Sequence, residues 1–227
     1  MGETTTELRP FLHRCGVAEE RLARLDTLAQ LYRDLVAANE QINLTRITGE
    51  ADFWHLHVAD SLAIGLAAAD ILTAPLTVAD VGCGAGFPLL VLAWANPAMR
   101  IVGFESRRRK ANFVVQEIDA LGLSNAWAVA ARSREAARTP DHAGQYDVVC
   151  ARAVGPIERL WRESRELLKP QPGARLIAYK TAAAIADERL GIERIAGRTH
   201  LEVQLSEEID LPGEAGRRQF VTLTRTD

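Results

Sequence analysis

A chain of 227 residues, 48% hydrophobic and 25% charged, can bury a full core without disulfides or metals, and is one domain or one domain with an extension. A net charge of −3 does not announce a nucleic-acid or membrane-surface binder, so any such partner has to be recognised by local patches. Cys15, Cys83 and Cys150 have no paired spacing, which argues against a disulfide framework or a zinc site and fits a reducing compartment. The first residues hold no apolar signal core, and Asp70 and Pro75 interrupt the apolar region 62–78, so a soluble, cytoplasmic protein is expected.

Residues 1–40 read as helical. Leu22, Leu25, Leu28, Tyr32, Leu35 and Val36 recur at three-to-four spacing and make one apolar face, with Arg21, Arg24 and Arg33 largely off it. Those arginines are either a solvated helix face or part of a phosphate-contacting surface. Asn43-Leu44-Thr45 breaks the pattern, and apolar spacing resumes from Phe53 and Trp54 through Leu62, Leu66 and Ile71. His57 and Asp60 are three apart, so they share a helix face, as a structural hydrogen bond or as a catalytic pair. No third ligand at metal spacing accompanies them.

From residue 76 strands and helices alternate. Strands are predicted at 76–81, 99–104, 126–130, 145–151 and 173–180, with helices near 88–95, 107–121 and 156–169, a pattern that implies a parallel sheet. The first strand runs into Asp80–Pro88, DVGCGAGFP. Strand, glycine loop, helix suits a nucleotide-like ligand at the carboxyl end of the sheet. A dinucleotide loop needs G-x-G-x-x-G, but the third position here is Phe87, which obstructs close helix–strand packing. The spacing Gly82, Gly84, Gly86 behind Asp80 instead resembles the first motif of class I S-adenosylmethionine (SAM) methyltransferases. Glu105, ending the second strand, suits both ribose hydroxyls. Cys83 lies inside the loop with no evident base beside it, and reads as a small loop residue.

Arg107-Arg108-Arg109-Lys110 opens the next helix, where four cations meet a positive dipole end. Such a run calls for acidic partners in the protein or phosphate outside it. Ser133 and Arg134 follow the third strand, in a loop that usually lies over the adenine in this sheet arrangement. Arg152 ends the fourth strand and faces the ligand crevice; Lys180, ending the fifth, places a second cation at that rim. Two strand-like runs, 200–210 and 219–225, flank LPGEAGRR and predict a hairpin at the sheet edge.

Seven separate stretches resemble one family, in its order: INLTRI at 42–47, HVADSL at 57–62, DVGCGAGFP at 80–88, FESRRRKANFV at 104–114, CARAV at 150–154, YKT at 179–181 and RRQFVTL at 217–223. The family is the bacterial RsmG (GidB) methyltransferases, which methylate N7 of a guanine in 16S ribosomal RNA with SAM. The resemblance implies a Rossmann-like class I SAM methyltransferase fold, α/β, with a mostly parallel seven-stranded sheet and an antiparallel C-terminal hairpin in residues 76–227, behind an N-terminal helical extension, 1–75. It implies SAM as cofactor, bound by Gly82, Gly84, Gly86, Phe87, Glu105, Ser133, Arg134 and Arg152. Asn43, His57, Asp60, Lys180 and Arg218 match polar positions around the family's active site and RNA face. The implied partner is 16S rRNA or the small ribosomal subunit, with no DNA, membrane or metal, for a monomeric enzyme.

The chain departs from the family where GFPG-x-P reads Phe87-Pro88-Leu89-Leu90-Val91, where R-x-E reads Arg132-Ser133-Arg134, and where K-G reads Lys180-Thr181. Two other readings stay open: a SAM methyltransferase for a small molecule or protein, and a catalytically silent SAM- or RNA-binding protein. A basic face favours RNA; a closed apolar pocket favours a small acceptor.

Overall fold

The computed structural model describes residues 2–197 and 200–227. Five parallel strands build its centre: β1 (Thr77–Val81), β2 (Arg100–Phe104), β3 (Ala126–Val129), β4 (Val148–Arg152) and β5 (Arg175–Lys180). Three further strands complete the sheet: β6 (Leu201–Leu205), β7 (Ile209–Asp210) and β8 (Arg217–Arg225). The order is β3-β2-β1-β4-β5-β8-β6, with β8 antiparallel to β5 and β6, and β7 pairing β8 off this path. The order reverses between β1 and β4, and a switch point of this kind opens a ligand crevice at the strands' carboxyl ends.

The alternation of the sequence survives in detail. The helices after the strands are α3 (Leu89–Ala95), α4 (Arg108–Ala120), α5 (Ser133–Ala136) and α6 (Ile157–Ser164), and they follow α1 (Gly2–Arg14) and α2 (Leu28–Ile42) at the N-terminus. Beyond β5 come α7 (Ala182–Asp187) and α8 (Arg189–Ala196). Three differences have local causes. The helix expected over 156–169 stops at Ser164 and tightens into a 3₁₀ turn, Arg165–Leu167. The strand expected over 145–151 begins at Val148, because Tyr146 only bridges Leu168. The run 200–210 is split into β6 and β7, and β8 starts two residues before 219, so that Arg218 is held in the sheet.

Each sheet face has its own core. Leu28, Leu31 and Leu35 of α2 pack with Leu8, Phe11 and Leu12 of α1 in the cluster that also holds Val78, Ile101 and the wholly buried α3. Ile157, Leu160 and Trp161 of α6 pack with Val149, Leu176 and Leu223 on the other face. Among the described residues no helix is long and apolar enough to cross a membrane.

Candidate active site

The glycine loop is shaped by backbone that side chains would block. Gly82 has φ +70, and a Cβ there would stand 2.9 Å from Val154 Cγ2; Gly86 has φ +93, and its Cβ would meet Leu90 Cδ1 at 2.4 Å. Beneath the loop, Asp80 is fully buried and its Oδ2 accepts from Leu89 N at 3.0 Å, capping α3. Burial pushes its carboxyl up to about 7, against the Leu89 amide and the Arg152 charge, which lower it. The Cys83 thiol is buried and its pKa is pushed well up by desolvation, which fits a packing residue and not a nucleophile.

Glu105 closes the loop from β2. Its Oε2 accepts from Gly84 N at 3.1 Å and its Oε1 from Arg107 N at 2.7 Å, so the carboxylate is fixed before any ligand arrives. It lines a cavity of about 520 Å³ with Gly82, Ser133 and Arg134, between the ends of β1, β2 and β3. Oε1 also accepts from Ser106 Oγ at 3.4 Å, a long bond, while Oε2 keeps a second lone pair for a ribose hydroxyl. Of the residues expected to hold cofactor, Gly82, Glu105, Ser133 and Arg134 therefore face one cavity, while Gly84 and Gly86 shape its loop.

Phe87 and Arg152 do not line this cavity and pack with His57. Phe87 is buried and stacks on His57, with ring centroids 4.1 Å apart and planes 11° from parallel. The Arg152 guanidinium lies 5.7 Å over the same ring. Its Nη1 donates to Leu56 O at 2.8 Å and to Asp60 Oδ2 at 2.9 Å, and its Nη2 to His57 Nδ1 at 3.1 Å. Arg152 lines a second cavity, of about 580 Å³, which meets the first at Val154. Asp60 and His57, 92 and 95 residues away in sequence, claim its donors there.

This second cavity is walled by Thr45, His57, Asp60, Arg152, Lys180 and Arg218 among others. His57 and Asp60 come from a segment, Phe53–Ala59, that winds as a π-helix into Asp60–Leu62, a form often found at functional sites. Their spacing puts them on one helix face, and there both bind Arg152. Asp60 also takes two bonds from Arg218, Nε to Oδ1 at 2.5 Å and Nη2 to Oδ2 at 2.9 Å, so one buried carboxylate joins the N-terminal helices to β4 and β8. Arginine has no acceptor, so His57 Nδ1 is the bare nitrogen; Nε2 carries the hydrogen and faces Thr45 Oγ1 at 3.4 Å. Burial, then the Arg152 charge, push the imidazole down to about 3, and it is neutral at physiological pH.

Asn43 does not line this cavity. It is the exposed, left-handed C-cap of α2, at φ 47, a role that asparagine fills readily. Thr45, two residues on, stands in the wall in its place. Lys180 does line the cavity, but its ammonium is already bound, to Gly155 O at 2.7 Å and Glu188 Oε1 at 2.6 Å. The sequence reading missed Thr45, Val154 and Glu188. Thr45 and Val154 lie within motif stretches; Glu188 carries no sequence signal at all.

The basic run is divided. Lys110 Nζ donates to Leu44 O at 2.8 Å, tying α4 to the wall segment. Arg107, Arg108 and Arg109 are exposed, and among the described residues none of them forms an ion pair. Among the described residues no cluster of three or more His, Cys, Asp or Glu is placed to hold a metal ion.

A family model described as GidB, rRNA small subunit methyltransferase G, matches residues 24–202. The chain belongs to this family. A protein named ribosomal RNA small subunit methyltransferase G from Roseiflexus sp. is 36% identical over 202 residues, 87% of this chain and 82% of that one. Its namesake from Gloeobacter violaceus is 44% identical over 125 residues, 55% of this chain; the match spans about half, 49%, of that relative's length. Among solved structures, cofactor-bound Rv0187 from MTB has TM-score 0.62 at 18% identity, covering 90% of this chain and 95% of that one. The O-methyltransferase TomG from Streptomyces achromogenes, in complex with SAM, has TM-score 0.60 at 19% identity, covering 86% and 89%. At these identities the two structures speak for the fold, a class I methyltransferase fold.

Proposed function

We propose that this protein transfers the methyl group of SAM to N7 of a guanine in 16S ribosomal RNA. Family membership supports the reaction class. The observation that carries the division of labour is that two cavities adjoin, among the described residues, at Val154 alone: one holds Glu105 and the glycine loop with Ser133 and four arginines, the other Asp60 with Arg152 and Arg218, Lys180 and a neutral histidine. The donor set of the first fits SAM: Glu105 for the ribose hydroxyls, Gly82 at the glycine loop, and Ser133 and Arg134 along the adenine side. When bound, SAM supplies an electrophilic methyl on a sulfonium.

Guanine N7 has an in-plane lone pair and needs no deprotonation, so the chain's task is positioning and not proton transfer. A neutral His57 suits that task, because an imidazolium would repel a base that gains positive charge as it is methylated. Phe87 and Arg152 fix the imidazole from its face and its Nδ1 edge, leaving Thr45 at the other nitrogen. Exposed Arg107, Arg108 and Arg109 supply charge for the RNA backbone. The guanine has to be unstacked to enter. This open wall, carrying Asp60, Arg152, Lys180, Glu188 and Arg218, is not the closed apolar pocket that would favour the rival reading, a small-molecule or protein acceptor. In this reading residues 1–75 are an added helical layer that carries one acceptor wall, and the enzyme works on its rRNA in the cytoplasm as a monomer.

The test is labelled methyl transfer from SAM to small ribosomal subunits lacking the modification, mapped by cleavage at N7-methylguanine. One cleavage site in 16S rRNA is expected. No transfer with SAM binding intact overturns the acceptor.

A further inference from the structure

Lys180 matches a polar position around the family's active site and RNA face, yet its side chain is only 10% exposed and its ammonium is bound twice inside the protein. Its partner Glu188 lies at the junction of α7 and α8. One Glu188 oxygen accepts from Lys180, and the other, Oε2, accepts from Ile157 N at 2.6 Å, the first amide of α6. The ion pair therefore grips the turn Gly155-Pro156-Ile157 at both ends, Lys180 on the Gly155 carbonyl and Glu188 on the Ile157 amide.

That turn needs a brace. It leaves β4 through Ala153, a residue with a Cβ held at φ 58, and Gly155, at φ 106. Between them is Val154, which faces Gly82 so closely that a Cβ on the glycine would clash with it. Among the described residues Val154 is the one that lines both cavities. Any movement of the turn moves this boundary between cofactor and acceptor, where displacements near 1 Å matter to a transfer in line.

We propose that Glu188 is a positioning residue: through Lys180 and Ile157 it holds the 153–157 turn, and so Val154, at the boundary where methyl donor and guanine meet. Lys180 is the other half of this brace and not a phosphate ligand. The inference rests on the proposed methyl transfer, but its structural half is measured without any acceptor.

Glu188→Gln keeps an acceptor for Ile157 and loses the ion pair; Glu188→Ala loses both; Val154→Ala opens the boundary while leaving the brace. Amide hydrogen exchange of residues 153–160 is measured on the wild type and the Glu188 variants alone. Exchange about tenfold faster in both variants is expected, with the larger rise in Glu188→Ala; unchanged exchange overturns the brace. With small subunits, kcat falls about tenfold in Glu188→Gln, more in Glu188→Ala and also in Val154→Ala, while KM and the SAM Kd stay within about threefold. The Lys180→Ala and Glu188→Ala losses do not add in the double variant, because they break one unit. Lys180→Ala leaves the salt dependence of subunit binding unchanged; a slope reduced by about 1 means that Lys180 does contact phosphate and overturns its assignment here. If the wild type transfers no methyl, the proposed function fails, and the exchange rates still decide the brace.

Discussion

The cavity proposed for the cofactor is lined by consecutive strand ends and their loops, 81–82, 104–106 and 131–135, together with Arg138, Val154, Arg159 and Glu163, whereas the one proposed for the acceptor draws on stretches as distant as Thr45 and Arg218. The first is shaped by backbone, a glycine loop and one acid held by two amides. The second is shaped by charge, one buried carboxylate shared by two arginines from different strands. A cavity made by backbone survives loss of a side chain with its shape intact. A cavity made by a charge network loses its wall when one member goes.

The largest effect is therefore expected at Asp60. Asp60→Ala leaves Arg152 and Arg218 half-buried without their shared partner, and should lower folding stability by about 3 kcal/mol in urea titrations and abolish transfer. A loss below about 1 kcal/mol would break the contrast between the two cavities. At Glu105 the loss should fall on the ligand instead. Glu105→Ala is expected to weaken SAM binding by about ten- to a hundredfold in calorimetry, while binding of the small subunit is little changed. Equal weakening of both would show that the cavities are not separable.

Two buried ionisable groups respond oppositely to pH: His57 in the wall of the acceptor-side cavity, and Asp80 beneath the glycine loop. His57 titrates near 3 when folded against an ordinary 6.5, so the unfolded chain binds its proton first and stability is lost as pH falls below 6.5. Asp80 titrates near 7 when folded against 3.8, so the folded chain binds its proton first and stability is lost as pH rises from 3.8 to about 7. Each slope is at most about 1.4 kcal/mol per pH unit, and the two oppose one another where they overlap. Denaturation of His57→Gln across pH 4 to 8 should remove the acid-side loss, and that of Asp80→Asn the loss on rising pH. The transfer rate should show no inflection near 6.5 from His57. The smallest effect belongs to the exposed run: Arg108→Ala should change stability by less than about 0.5 kcal/mol and leave SAM affinity alone, while reducing the salt slope of subunit binding by about 1.

The same contrast decided what was legible beforehand. Gly82, Glu105, Ser133 and Arg134 were readable because strand alternation puts the ends of successive parallel strands on one rim. The residues of that cavity need only be near the ends of their own strands. Arg152 was readable at this rim, but its direction was not, since that depends on Asp60 and His57. Asn43 was selected from the right motif, although the left-handed cap it forms turns the chain and gives the wall position to Thr45.

What the sequence determined by itself was the fold, its glycine loop and its family, because periodicity, glycine spacing and short motifs are local properties of a chain. What only the tertiary structure decided was which side chains meet: Asp60 between two arginines, His57 stacked on Phe87, and Glu188 bracing the turn through Lys180 and Ile157. Those contacts join residues from 8 to 158 positions apart, and a hydrogen bond is set by angstroms of packing that no spacing along the chain encodes.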